Sequence, residues 1–268
     1  MAARGANRGG RARYRPSGMI PLRDDIPSGR PPVVTWALIA ANLIAFAWQL
    51  SVGLEASVMT AGAIPFELLT FQDIWPRDLV PPPFTVLTSM FMHGGLGHLG
   101  GNMLFLWIFG NNVEDALGRP RFLAFYLATG VVAAAAQTLA TAVQASGLPG
   151  PDANALLGVP MVGASGAIAG VLGGYLLLYP RARIQTFVIL IVFFQMMYLP
   201  AWVFIGIWFL GQLASVAMGA STGVAFFAHI GGFLAGLALV KLVGRRPGWL
   251  RSPPRWAGAP AASPRWPS

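Results

Sequence analysis

The stretch GASGAIAGVLGGYLLLY, residues 163–179, decides how the rest of the chain is read. It carries no charged side chain, and its length falls at the lower end of the roughly 17–25 residues that cross a bilayer as a helix. It opens on a hydroxyl, Ser165, and then repeats glycine every fourth residue at Gly166, Gly170 and Gly174. Such small-residue stripes let helix backbones approach closely in lipid. A second apolar stretch holds His229 within Ala228-His229-Ile230-Gly231-Gly232, and a third opens with His98, with Asn102 one helical turn later. The chain has 3 histidines, and two of them fall inside apolar segments. Ionisable groups at that depth are costly and mark functional sites by default.

Composition agrees. Of the 268 residues 55% are hydrophobic and 10% charged, against about 25% charged in ordinary soluble domains. With apolar runs near 20 residues, this describes a polytopic helical membrane protein. The absence of cysteine excludes disulfides, thiolate catalysis and Cys-ligated metals. The net charge of +9 invites nucleic acid as a partner, but no folded basic domain exists to bind it. The basic residues flank the apolar segments instead, as membrane orientation and anionic headgroups require. The first thirty residues lack the apolar core of a cleavable secretion signal. Their glycines, Pro16, Asp24 and Asp25 also argue against an amphipathic presequence helix.

Along the chain, residues 1–31 read as a disordered basic arm and residues 245–268 as a disordered basic Pro/Trp tail, leaving a membrane domain over 32–244. Six spans are expected, at about 33–52, 98–112, 122–143, 163–179, 199–217 and 223–243. A long first external loop, 53–97, separates the first two. The apolar run 184–217 exceeds one span; Pro200 divides it into an interfacial or tilted lead-in, 184–198, and the core of span 5. All of the 18 basic residues except Arg77 then fall on one face. Glu55, Glu67, Asp73, Asp78 and Asp152 occupy the opposite loops. The positive-inside rule makes both termini cytoplasmic. The fold class is therefore an all-α membrane protein, a six-helix bundle in the plasma (inner) membrane.

In that topology spans 2, 4 and 6 run the same way, from outside to inside. Ser165 begins span 4, and His229 lies about 9 Å into span 6 at 1.5 Å per residue. His98, Asn102, Ser165 and His229 thus share the outer half of the membrane. A serine becomes a nucleophile when an adjacent base takes its proton, and a neutral imidazole can do so. The acidic residues lie in loops or at span ends, so a Ser-His dyad is expected rather than a triad. Donors for an oxyanion are the Ser165 N–H, the Asn102 amide and the His98 ring.

These residues resemble the rhomboid family of intramembrane serine proteases. The resemblance rests on His93-x4-His98-x3-Asn102, Gly163-Ala164-Ser165-Gly166 and Ala228-His229-Ile230-Gly231-Gly232, in order and on the expected spans. It covers the chain from span 1 to span 6 and leaves out both basic ends. It implies a bundle around a water-filled cavity open to the outer face and no cofactor. Ser165 would be the nucleophile and His229 the general base, with His98 and Asn102 in the oxyanion hole. His93 would have a structural hydrogen-bonding role in the first loop, and Gly163, Gly166 and Gly232 would support the site. Substrates would be single-span membrane proteins, cut near the outer end of their helix. Many members carry Trp-Arg shortly before the span-2 histidines, where this chain has Phe84-Thr85, with Trp75-Pro76-Arg77 further upstream. The first loop is therefore expected to be anchored differently. Some members place a tyrosine one turn after the serine to stack on the base; here Ala169 stands there. Two other readings compete. A catalytically silent relative that escorts membrane clients would usually lack the serine or the base. A small-solute transporter would call for an inverted repeat or a buried coupling carboxylate, and the chain shows neither.

Overall fold

The computed structural model describes residues 18–74, 80–190, 193–219 and 224–243. A strand, β1 (Gly18–Asp24), precedes the first long helix, α1 (Val33–Val52). The first loop contains short helices α2 (Leu54–Ala61), α3 (Pro65–Thr70) and α4 (Pro82–Thr88). Then come α5 (Leu96–Phe105), a π-helical segment (Leu106–Gly110) and α6 (Asn111–Leu117) in direct succession. After them run α7 (Arg119–Ser146), α8 (Gly150–Leu157), α9 (Ser165–Leu178), strands β2 (Arg183–Leu190) and β3 (Phe193–Pro200), α10 (Ala201–Ala217) and α11 (Phe226–Val243). By length and composition α1 and α7 can each cross a membrane, while α9, α10 and α11 are apolar and shorter.

The helices match the expected spans closely, and α1 matches its span residue for residue. The α5–α6 run extends past residue 112 because its π-helical turn continues the helix instead of ending it. Pro200 does separate the lead-in from the next helix. The expected start of the last span at Gly223, the tail 245–268 and Trp75-Pro76-Arg77 lie outside the described residues.

The all-α expectation needs correcting, because the chain contains an antiparallel sheet of order β1-β2-β3. The lead-in 184–198 is a β-hairpin, with Ile184 opposite Leu199 and Phe187 opposite Met196. Its density of β-branched and aromatic residues favours a pleated surface over a helix. The arm, expected to be disordered through residue 31, pairs with it from Gly18 onward, placing Ile20 opposite Phe187 and Asp24 opposite Ile184. Ile184, Thr186 and Val188 alternate inward and are buried. Phe194, Met196 and Tyr198 on β3 are exposed. A hairpin beside a helical bundle needs partners for its backbone groups, and β1 satisfies one side of β2.

Two polar clusters tie elements together far from Ser165. The Glu114 carboxylate of α6 caps α1, accepting from the N–H groups of Val34 (2.9 Å) and Thr35 (2.7 Å) and from the Thr35 hydroxyl (2.8 Å). The start of α1, preceded by Pro31-Pro32, has no capping side chain of its own, so a carboxylate from another helix meets its positive end. At the end of α9 away from Ser165, the Tyr175 hydroxyl and the Asn112 amide both donate to the Asp24 carboxylate. The neighbouring Asp25 accepts from the Arg183 N–H at 2.8 Å. These bonds fasten the arm to α6, α9 and β2.

Burial pushes the Asp24 carboxyl up from 3.8 to about 6, against the two donated hydrogen bonds, which pull it down. A carboxyl raised in the folded state stabilises it fully below its unfolded pKa, and that contribution fades as pH rises through the folded value. The thermal midpoint of the wild type relative to Asp24→Asn is therefore expected to fall between pH 3.8 and about 6. Parallel melting curves of the two proteins across that interval check it, and a difference independent of pH would refute it.

Candidate active site

Close packing of α9 on α11 creates the site. A Cβ on Gly232 would overlap the Gly166 carbonyl oxygen, and one on Gly236 the Gly170 carbonyl oxygen. From the other side, a Cβ on Gly173 would overlap the Phe233 carbonyl. The two backbones therefore touch with no side chain between them, as the stripes led one to expect. Gly174, expected to continue the stripe, instead faces Phe125 and Val240, and Gly173 takes its place. Gly166 and Gly231 also admit α7, through Ala133 and Ala136 respectively.

This contact brings the His229 Nε2 to 2.8 Å from the Ser165 Oγ. The His229 Nδ1 lies 2.7 Å from the Gln212 Oε1 on α10. An amide oxygen can only accept, so Nδ1 carries the proton and Nε2 presents its lone pair to the serine hydroxyl. The Gln212 Nε2 donates to the Trp208 carbonyl one turn back, at 3.4 Å. The Trp208 ring itself lies 5.9 Å from the imidazole, centroid to centroid. Ala169, standing where some relatives would stack a tyrosine, is fully buried. The orienting contacts come from α10 instead.

His98 reaches the serine through a gap left by glycine. Gly163 has φ +120°, a conformation that L side chains rarely adopt, and a Cβ there would sit 2.8 Å from the His98 ring. The His98 Nδ1 accepts the Gly94 N–H at 3.3 Å, so its Nε2 bears the proton and is the donor. Asn102, one turn along α5, donates one amide hydrogen to the His98 carbonyl at 2.9 Å and keeps a second. The N–H of Ser165 belongs to the first turn of α9, whose N–H groups have no partner within the helix. His98, Asn102, Ser165 and His229 all line one cavity of about 610 Å³. Gln137, Thr141 and Gln144, from one face of α7, add polar groups to its wall, which among the described residues includes no carboxylate.

His93 stands apart from the cavity, fully buried. Its N–H donates to the Gln49 Oε1 (2.8 Å), and its carbonyl accepts from the Gln49 Nε2 (3.2 Å). Its ring Nδ1 lies 3.2 Å from the Phe91 carbonyl. The first loop is thereby clamped to α1. A second clamp joins the Gly163 N–H to the Ser89 carbonyl at 2.9 Å, and a two-bond bridge joins Ala63 to Met161. Thr85, in the place of the absent Trp-Arg pair, bonds only locally, to the Pro82 carbonyl. The loop is anchored by Gln49 and by the segment before Ser165. The sequence reading missed Gln49, Trp208 and Gln212. A polar residue inside an apolar span was the available signal for both glutamines.

The rhomboid domain model matches residues 82–246, more than half of the chain and the whole of the stretch from His93 to His229. The chain belongs to the rhomboid family. Among its relatives, Rhomboid protein 1, mitochondrial, of Saccharomyces cerevisiae is 33% identical over 60% of this chain and 42% of its own length. The Presenilin-associated rhomboid-like protein, mitochondrial, of Homo sapiens is 32% identical over 57% and 36%. Rhomboid-type serine protease 2 of Emericella nidulans is 30% identical over 67% and 29%. The matched stretch thus spans about two fifths or less of these curated relatives. Rhomboids are membrane proteins, and the family includes serine proteases, as the last name states.

The glycine contact yields a comparison within one molecule. Gly236→Ala should destabilise by about 1–3 kcal/mol, as overpacking does, because its methyl must displace the Gly170 backbone. Gly211→Ala on α10 meets nothing within 4 Å and should be neutral or stabilising by up to about 1 kcal/mol. Thermal midpoints in the same detergent would check both, and equal effects would refute the packing account.

Proposed function

We propose that this rhomboid is an intramembrane serine endopeptidase using a Ser165–His229 dyad. One observation carries the reading: a serine hydroxyl 2.8 Å from an imidazole nitrogen, on adjoining helices, at the wall of a cavity that other polar side chains also line. The Ser165 Oγ attacks the scissile carbonyl carbon as its proton passes to the His229 Nε2. The oxyanion so formed receives hydrogen bonds from the His98 Nε2–H, the second Asn102 amide hydrogen and the Ser165 N–H. Collapse breaks the C–N bond, and His229 returns the proton to the leaving amine. Water activated by the same imidazole then hydrolyses the acyl-enzyme. No metal or cofactor takes part in this scheme. His93, Gly163, Gly166 and Gly232 support the geometry without entering the chemistry.

The membrane arrangement belongs to the same proposal. The bundle has six spans, formed by α1, the α5–α6 run, α7, α9, α10 and α11. Both termini lie on the cytoplasmic or matrix side, where the basic residues gather. The membrane domain drawn over 32–244 gains β1 at its edge. The mitochondrial names of two relatives add the mitochondrial inner membrane to the plasma membrane as a location. Substrates are single-span membrane proteins cut near the outer end of their helix, where the backbone can unwind into a wet cavity rather than into lipid. The bilayer, with anionic headgroups, is the other partner. A silent escort factor has less in its favour, since serine and base are both present and in hydrogen-bond contact.

Ser165→Ala and His229→Ala should each abolish cleavage of a single-span model substrate in proteoliposomes while leaving the melting transition in place. Asn102→Ala should lower turnover by roughly 10–1000-fold, as loss of one oxyanion donor does. A serine-directed covalent probe should label the wild type and not Ser165→Ala. Wild-type turnover by the serine variant would overturn the proposal.

A further inference from the structure

Among the described residues the cavity wall carries no carboxylate to orient His229, yet the ring is not left to rotate. Its Nδ1 is met by the Gln212 Oε1 at 2.7 Å while its Nε2 faces the Ser165 Oγ at 2.8 Å. Gln212 cannot reverse its amide without losing both of its bonds. The Nε2 end is held on the Trp208 carbonyl, which accepts only, and the oxygen end faces Nδ1. The Trp208 ring lies beside the imidazole and packs at a tilt against Phe233, limiting ring tilt. One helix, α10, thus supplies both a hydrogen-bond acceptor and a ring contact to the base.

We propose that Gln212 is a positioning residue for His229, the neutral third member of a Ser165–His229–Gln212 relay that selects the Nδ1–H tautomer. The inference rests on the dyad reading above and deepens it. Chemically, a base whose proton sat on Nε2 could not accept from Ser165, so tautomer control decides what fraction of the enzyme is competent. A carboxylate in this position would also stabilise the imidazolium by its charge; an amide offers only its dipole. The arrangement suits a site surrounded by lipid, where a buried carboxylate is costly. It also links the reaction to α10. Within the described residues α10 meets α11, α9, β2 and β3, and its Phe204 packs on Phe105 and Phe109, while its own far face, at Trp202, Ile207 and Leu210, is exposed.

Three variants separate positioning from packing. Gln212→Met keeps the volume and removes the acceptor. Turnover should fall by between about tenfold and a hundredfold, part of the roughly 10²–10⁴-fold that a positioned base contributes, with KM little changed. Gln212→Glu restores an acceptor and adds charge. It should recover turnover relative to the methionine variant and move the acid limb of the kcat/KM profile to higher pH, because a neighbouring carboxylate favours the imidazolium. Gln212→Ala should resemble Gln212→Met in turnover. A readout independent of activity is the ring ¹⁵N spectrum of histidine-labelled protein in bilayers, tractable with 3 histidines and recorded in the Ser165→Ala background. The His229 signal should show protonated Nδ1 with Gln212 present and shift away from it in the methionine variant. Unchanged turnover, or an unchanged His229 tautomer, in Gln212→Met would overturn the proposal. If wild-type protein shows the expected tautomer but no Ser165-dependent cleavage, the hydrolase reading fails while the orienting role of Gln212 stands.

Discussion

Backbone contact between α9 and α11 is the constraint on which the remaining structure depends. Lipid provides no hydrophobic driving force between helices, so association rests on close packing and hydrogen bonds. Gly166, Gly170 and Gly173 meet Gly232, Gly236 and the Phe233 backbone with nothing larger than hydrogen between them. Only at that separation can short side chains such as serine and histidine span the gap between helices. The 2.8 Å Ser165–His229 contact is therefore a consequence of glycine spacing as much as of the two reactive residues.

Around that contact, several polar groups are met by specific partners. Glutamines perform much of this work: Gln49 holds the His93 backbone, Gln137 accepts the Ala228 N–H near the start of α11 at 3.2 Å, and Gln212 holds the His229 ring. A neutral amide supplies both donor and acceptor without the desolvation cost of a charge. Along the long helices, charged groups are kept to the end away from Ser165, where Glu114 caps α1 and Asp24 fastens the arm, while Glu55, Glu67 and Asp152 stand on the short helices α2, α3 and α8. The long helices thus separate a neutral chemical end from a charged structural end.

That separation bears on how serine chemistry runs here. In soluble serine hydrolases a carboxylate both orients the base and compensates its charge. Here orientation falls to Gln212 and Trp208. In the proposed reaction, charge developing on the substrate oxygen would be met by His98, Asn102 and the first turn of α9. Polar residues on α7, Gln137, Thr141 and Gln144, line the same cavity as the serine.

Much of this was legible in the sequence. Charge deficit, run length and glycine period fixed the helices to within a few residues. Three motifs, at Ser165, His229 and His98-x3-Asn102, named the polar groups that one cavity brings together, because burial of such groups in apolar helices is expensive enough to be informative. The sheet was not legible from the length and hydropathy of the run 184–198, which do not separate a lipid-facing helix from a strand. Its pairing with Gly18–Asp24 joins segments more than 150 positions apart, and no local pattern encodes such a contact. Nor did the sequence distinguish Gly173 from Gly174 as the contact residue, which depends on helix rotation. Gln212 and Trp208 lay in a span with no motif to mark them. Only tertiary packing could show that α10 turns them toward His229, because local periodicity says which residues share a face and not what that face meets.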